Sequence, residues 1–101
     1  MSVLVTLRVH ARADELERKA AENPDVLAGF RASALEHGVI SHYFYANEDG
    51  ELLGVDEWPS GEAFQAFFAA NPEIGDLMAG IGVTEAPEIK FWRKLETNDE
   101  V

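Results

Sequence analysis

The chain has 101 residues and a formal net charge of -11 at pH 7, which argues against a nucleic-acid partner because nucleic-acid binders concentrate lysine and arginine. Its hydrophobic content of 47% is enough for one core, so residues 1–101 are predicted to form a single domain. The sequence lacks cysteine, a signal-peptide pattern and any apolar run near the roughly 20 residues of a membrane helix. We therefore expect a cytoplasmic protein without disulfides, thiolate metal ligands or membrane insertion.

The first half of the chain reads as a strand followed by an interrupted helix. Residues 3–10 alternate apolar and mixed side chains, which predicts a half-buried strand. Residues 13–36 have helical composition, but Asn23-Pro24 interrupts them because proline lacks a backbone donor. The first helix is therefore predicted to be bent or split, and Gly38 is typical of the residue that stops it.

A β-hairpin is predicted from two apolar segments, residues 39–46 and 51–58, that flank Asn47-Glu48-Asp49-Gly50. A loop of two or four residues places even positions of the first strand opposite odd positions of the second. One face of the hairpin would then carry Tyr43, Tyr45, Leu52, Gly54, Asp56 and Trp58. The other face would carry Ile40, His42, Phe44, Leu53, Val55 and Glu57.

A second helix is predicted directly after the hairpin. Pro59 ends the strand, and Ser60 is a favourable N-cap for the helix that follows. The apolar stripe of this helix has the spacing i, i+3, i+4 and consists of Phe64, Phe67 and Phe68. A break at Asn71-Pro72 starts a further helical piece that reaches Gly80.

Residues 89–95 form the last predicted strand, so the element order is βαββαβ. This order predicts an α+β, ferredoxin-like fold in which a four-stranded antiparallel sheet carries its helices on one face. The other face would be bare, and its predicted members are Leu4, Thr6, Tyr43, Tyr45, Leu52, Trp58 and Trp92. Such an apolar face is unusual on a small monomer, so we expect a homodimer that buries it against a twofold copy.

The second half of the chain contains one strand-to-helix corner followed by a helix break. Their residues are Glu57-Trp58, Ser60, Glu62-Ala63-Phe64, Phe67-Phe68 and Asn71-Pro72. With these residues inside the matching element order, nearly the whole chain resembles the antibiotic-biosynthesis-monooxygenase type of dimeric α/β barrel. That family includes cofactor-free quinone-forming oxygenases, haem-degrading enzymes and many uncharacterised members.

The resemblance carries an expectation about cofactors. Haem-degrading members use a helix histidine as iron ligand and a nearby tryptophan, whereas this chain has Leu77 and Phe67 at those positions. Haem is therefore not expected. The cofactor-free members bind an electron-rich phenol that becomes a carbanion and reduces dioxygen itself. Resemblance to them implies a small apolar or aromatic ligand, no cofactor and a cofactor-independent monooxygenase.

His42 and Glu57 are the candidate catalytic residues. They are predicted to be neighbours on adjacent strands and to share the helix-facing side of the sheet. A carboxylate would orient the imidazole, and histidine is suited to take a proton from a phenol near neutral pH. The alternative is a polar pair that closes the end of the sheet. The histidines do not have metal-ligand spacing, so no metal site is expected.

The candidate ligand-binding residues are Phe44, Phe67, Met78 and Trp58. Apolar and aromatic side chains of this kind also build hydrophobic cores, so two hypotheses about the protein remain open. The first is a small-molecule protein with a pocket between sheet and helices, and the second is a non-catalytic dimeric structural or interaction module. An unfilled cavity bordered by His42 would favour the first hypothesis, and tight packing of Phe44, Phe67 and Met78 would favour the second.

Overall fold

The computed structural model describes residues 2–101 and contains four strands and four helices within that range. The strands are β1 (Val3–His10), β2 (Ser41–Ala46), β3 (Glu51–Trp58) and β4 (Glu88–Trp92). The helices are α1 (Ala13–Glu22), α2 (Pro24–Glu36), α3 (Gly61–Ala70) and α4 (Glu73–Gly80). All strand pairs are antiparallel in the order β2-β3-β1-β4. The predicted α+β, ferredoxin-like fold is confirmed, with each predicted helix divided into two pieces.

Side-chain hydrogen bonds cap both ends of α3. The Ser60 hydroxyl accepts a hydrogen bond from the Ala63 backbone N–H at 3.2 Å, so it caps α3 as a serine in that position should. The Asn71 amide donates to the Phe67 carbonyl at 2.9 Å and to the Ser33 hydroxyl at 2.8 Å. Asn71 thereby closes the end of α3 and ties it to α2.

The hairpin turn has three residues, which is an odd number. The Asn47 N–H donates to the Glu51 carbonyl at 3.2 Å, leaving residues 48–50 as the loop. Gly50 closes this loop at φ 77°, in the left-handed region that glycine adopts without the strain a Cβ would bring. With an odd number of loop residues, even positions of β2 lie opposite even positions of β3, whereas a loop of two or four residues would place them opposite odd positions. The predicted assignment of the β3 residues to the two faces was therefore wrong.

In the observed register His42 lies opposite Asp56, and Tyr43 lies opposite Val55. The helix-facing side of the hairpin consequently carries His42, Phe44, Leu52, Gly54, Asp56 and Trp58. The open side of the hairpin carries Tyr43, Tyr45, Leu53, Val55 and Glu57. Trp58 and Leu52, predicted on the open side, instead belong to the core, where they are 0% and 6% exposed.

The core between sheet and helices is divided into two clusters. One surrounds Trp58 and consists of Val5, Ala34, Trp58, Phe64 and Phe67. The other lies toward the hairpin turn and consists of Val9, Leu16, Leu52 and Ile81. On β3 the segment between these clusters contains Gly54, which has no side chain with which to fill it.

The open side of the sheet exposes large apolar side chains. Tyr43 is 60% exposed, Tyr45 57% and Trp92 48%, and Leu4 on the central strand is also exposed. Burying such a face in a partner would gain hydrophobic free energy in proportion to its area. Within residues 2–101, no helix combines the length and the apolar character needed to cross a membrane.

Candidate functional site

A cavity of about 620 Å³ lies between the helix-facing side of the sheet and the four helices. This volume falls in the range of small-molecule sites, and most of its lining is apolar. Three of the four predicted ligand-binding residues, Phe44, Phe67 and Met78, line it. Trp58 is not among the lining residues.

The mouth of the cavity lies between α2 and β2. The lining residues that are exposed to solvent all come from these two elements and the residue before β2. They are Ala28, Arg31, Leu35, Ile40, His42 and Phe44. Since β2 is an edge strand, no further strand within residues 2–101 covers that opening.

Gly54 forms part of the cavity wall between the two core clusters. A Cβ at this position would lie 3.5 Å from Phe44 Cε1 and 3.9 Å from Leu7 Cβ, which is ordinary van der Waals contact. An alanine therefore fits, whereas a longer side chain would have to enter the cavity or displace Phe44. The absence of a side chain at Gly54 keeps this part of the cavity open.

His42 and Asp56 form the polar centre of the lining. His42 Nδ1 lies 2.5 Å from Asp56 Oδ1, and the two residues are opposite each other on β2 and β3. The other carboxylate oxygen, Asp56 Oδ2, accepts a hydrogen bond from Trp58 Nε1 at 3.1 Å. The His42 ring also meets Phe44 edge to face, with 4.5 Å between ring centroids. Both oxygens of Asp56 are thus engaged, and each contact restricts its orientation.

This arrangement suits His42 for proton transfer. The tautomer with its proton on Nδ1 donates to Asp56 and leaves Nε2 as an acceptor. The Asp56 side chain is only 15% exposed, whereas that of His42 is 45% exposed at the mouth. The carboxylate is therefore the sheltered, fixed member of the pair, and the imidazole is the member that an incoming ligand can reach.

The predicted pairing of His42 with Glu57 was wrong. Glu57 lies on the open side of the sheet, opposite Ser41 on β2, and accepts a hydrogen bond from the Ser2 hydroxyl. The error follows from the hairpin parity, since a three-residue turn shifts the carboxylate beside His42 from Glu57 to Asp56. The Gly50 position in the turn was the sequence signal that could have indicated the odd loop.

Trp58 has a supporting position behind the site. It is fully buried, and its ring lies 5.3 Å from that of Phe67 and 5.9 Å from that of Phe64, centroid to centroid. Its indole N–H reaches Asp56 from this packed position. The sequence analysis missed Asp56 as the partner of His42, because Asp56 was assigned to the wrong face.

A second polar cluster lies on the open side of the sheet and centres on Arg8. Its guanidinium contacts Glu51 on β3 and Glu88 on β4, the latter at 3.0 Å. The hydrogen bond from Arg8 is the main cause that lowers the pKa of Glu88, and Lys90 adds to it. The hydrogen bond from Asn47, followed by that from Arg8, lowers the pKa of Glu51. No three histidine, aspartate or glutamate side chains in the described chain converge as a metal-binding group.

Comparisons with known proteins show what fold surrounds this cavity. Neither a family model nor a curated protein matches the chain. Among solved structures, SnoaB, a cofactor-independent oxygenase from Streptomyces nogalater, is similar at 19% identity and TM-score 0.63, over 98% of each chain. The monooxygenase from ActVA-Orf6 of Streptomyces coelicolor, in complex with Nanaomycin D, shows 20% identity and TM-score 0.62, over 99% of this chain and 91% of that one.

A third similar structure is an antibiotic biosynthesis monooxygenase with 9% identity and TM-score 0.65, covering 95% of this chain and all of the other. Identities this low establish the fold alone. The chain therefore has the fold of antibiotic-biosynthesis-monooxygenase-like proteins, and the resemblance inferred from its sequence is confirmed at that level.

Proposed function

We propose that the cavity binds a small aromatic compound with a phenolic hydroxyl and that His42 removes the phenolic proton. The observation that carries this proposal is an open cavity of about 620 Å³ whose apolar lining is interrupted at the mouth by the His42–Asp56 pair. Apolar walls favour the ring system, and a few placed polar groups orient it. A proton acceptor beside the ring gives the site a chemical task in addition to binding.

The proton would pass from the phenol to His42 Nε2. The resulting imidazolium is stabilised by the Asp56 carboxylate at Nδ1, and Asp56 is held in place by the Trp58 indole. The phenolate remains between apolar walls, where the facing imidazolium offsets its charge. The role assigned to Asp56 is therefore to orient and stabilise the base.

A cofactor-independent monooxygenase is the activity that this chemistry supports. A ring methylene activated by the phenolate would give electrons to dioxygen, gain one oxygen atom as a carbonyl and lose its two hydrogens as water with the second oxygen. The equation CH₂ + O₂ → C=O + H₂O balances without a further reductant. Support comes from the fold shared with SnoaB, described as a cofactor-independent oxygenase, and with the ActVA-Orf6 monooxygenase.

The active unit in this proposal is a homodimer formed through the open side of the sheet. The exposed Tyr43, Tyr45 and Trp92 side chains support it, because a twofold copy would cover them with the same surface. The cavity lies on the opposite side of the sheet, so dimerisation through this face leaves the wall that carries His42 unchanged. In the alternative, a non-catalytic module, the protein's own side chains would fill the cavity, and the open volume argues against this.

Binding is tested by calorimetric titration with a panel of phenols and quinones that includes 2-naphthol. We expect Gly54→Leu to abolish binding because its side chain enters the cavity beside Phe44. Gly75→Leu is the matched control, since a side chain at Gly75 meets nothing within 4 Å. Failure of the parent protein to bind any compound, or equal binding by both variants, would contradict the proposed site.

A further inference from the structure

We infer that Arg31 makes the cavity selective for aromatic acids, that is, for phenolic compounds that also carry a carboxylate. The inference rests on the proposed function and names the substrate class of the same site. Arg31 lies on α2 at the mouth, across the opening from the β2 strand that carries His42. A ligand could therefore present a hydroxyl to one side of the mouth and an anionic group to the other.

Arg31 is the cation of the cavity. Of the described residues that line it, three have charged or titratable side chains, namely Arg31, His42 and Asp56. Asp56 is already satisfied by His42 and Trp58. Arg31 shares one helical face with Ala28 and Leu35, which also line the mouth, at spacings i-3 and i+4. Arg31 therefore lies on the face of α2 that borders the mouth.

No carboxylate in the described part of the chain forms an ion pair with Arg31. Arg8 and Arg18 are paired with carboxylates, whereas Arg12, Arg31 and Arg93 are in no ion pair within the described residues, and of these three only Arg31 lines the cavity. The donors of Arg31 are therefore available to a ligand. A guanidinium presents them in a planar fork that matches the two oxygens of a carboxylate.

The net negative charge of the protein makes a local cation useful for binding an anionic ligand. A protein with a net charge of -11 repels anions from most of its surface. An aromatic acid, unlike a neutral phenol, therefore needs a local attraction that overcomes this repulsion. Arg31 is placed to supply it, with the carboxylate at α2 and the phenol at His42.

The test compares two ligands of nearly equal shape, 6-hydroxy-2-naphthoate and its neutral carboxamide, by calorimetric titration. We expect the parent protein to bind the carboxylate about tenfold more tightly than the amide, as a charge-assisted hydrogen-bonded pair provides. Arg31→Gln should remove this preference, because it weakens binding of the carboxylate more than binding of the amide. Arg93→Gln is the matched control, because it removes the same charge at an exposed position after β4 and should preserve the preference.

The outcomes separate this inference from the proposed function. If the parent binds 2-naphthol and the amide but shows no preference for the carboxylate, Arg31 selectivity is overturned and the phenol site stands. A preference that persists in Arg31→Gln would also overturn it. If the parent binds none of the three compounds (the carboxylate, the amide and 2-naphthol), both the inference and the proposed site are contradicted.

Discussion

The His42 imidazole and the Asp56 carboxylate face each other across β2 and β3, with 2.5 Å between Nδ1 and Oδ1. Because Trp58 donates to the second carboxylate oxygen, the chain of contacts runs from the buried core to the cavity mouth. The orientation of His42 therefore depends on a residue that no ligand in the cavity contacts directly.

The first prediction concerns Asp56. In Asp56→Asn the amide oxygen can still accept from Trp58, but the NH₂ group then donates to His42 Nδ1 and favours the tautomer whose proton is on Nε2, the atom that should accept the phenolic proton. We expect deprotonation of a bound phenol to fall at least about tenfold and the free energy of unfolding to fall by about 1–3 kcal/mol. Glu57→Gln makes the same chemical change on the open side and should leave deprotonation unaffected. The reverse pattern would restore Glu57 as the partner of the base.

The second prediction separates the two contributions of Trp58. Trp58→Ala should lower the free energy of unfolding by about 3–5 kcal/mol, because it removes a fully buried ring that contacts Phe64 and Phe67. Trp58→Phe keeps much of that packing but leaves Asp56 Oδ2 without its donor, so it should be the milder change in stability and still impair phenol deprotonation. Urea unfolding and a binding assay on both variants measure this, and an unchanged stability of Trp58→Ala would contradict the packing described above.

The third prediction is the homodimer. Stable interfaces bury at least roughly 1,200 Å² in total, and the open side of the sheet offers exposed aromatic side chains for this purpose. Light scattering should give twice the chain mass of 11.1 kDa. Tyr43→Asp should shift the protein toward monomer, whereas Val26→Asp, at an exposed apolar position on α2, should not. A monomeric parent at micromolar concentration would exclude the dimeric barrel.

The fourth prediction is a dependence of stability on acid. Glu88 and Glu51 have lowered pKa values in the folded protein, so they contribute stability above the ordinary glutamate value of 4.5. That contribution is lost as the pH falls from 4.5 through the lowered values. Arg8→Gln removes the donor common to both, so its melting temperature should fall less steeply over this range than that of the parent. If the melting temperatures of the parent and Arg8→Gln fall equally with pH, the Arg8 cluster does not contribute to the acid dependence of stability.

The sequence was sufficient for the fold because its strongest signals are local. Alternation in residues 3–10, the Asn-Pro breaks and the Ser60 cap depend only on nearby residues, and each marks an element boundary or type. The element order then restricts the topology to few arrangements. The four-stranded sheet therefore followed from patterns within single segments.

The candidate site was harder to predict because it depends on register between segments. One residue in the hairpin loop decided whether His42 met Glu57 or Asp56, since a shift of one position moves every side chain to the other face. Arg31 depended in addition on how α2 lies over the sheet, which no local pattern encodes. His42 was identifiable from residue type alone, whereas its partner was not.

An optical titration with 4-nitrophenol tests whether a proton passes to His42 inside the cavity, because the phenolate absorbs visible light and the phenol does not. In a buffer acidic enough to keep the free compound protonated, the parent protein should generate the phenolate band in proportion to bound ligand. His42→Gln should bind the compound without that band, and thermal denaturation should show that the variant remains folded. A phenolate band of equal strength in His42→Gln, or bound ligand that stays fully protonated in the parent, would contradict the assignment of His42 as the base.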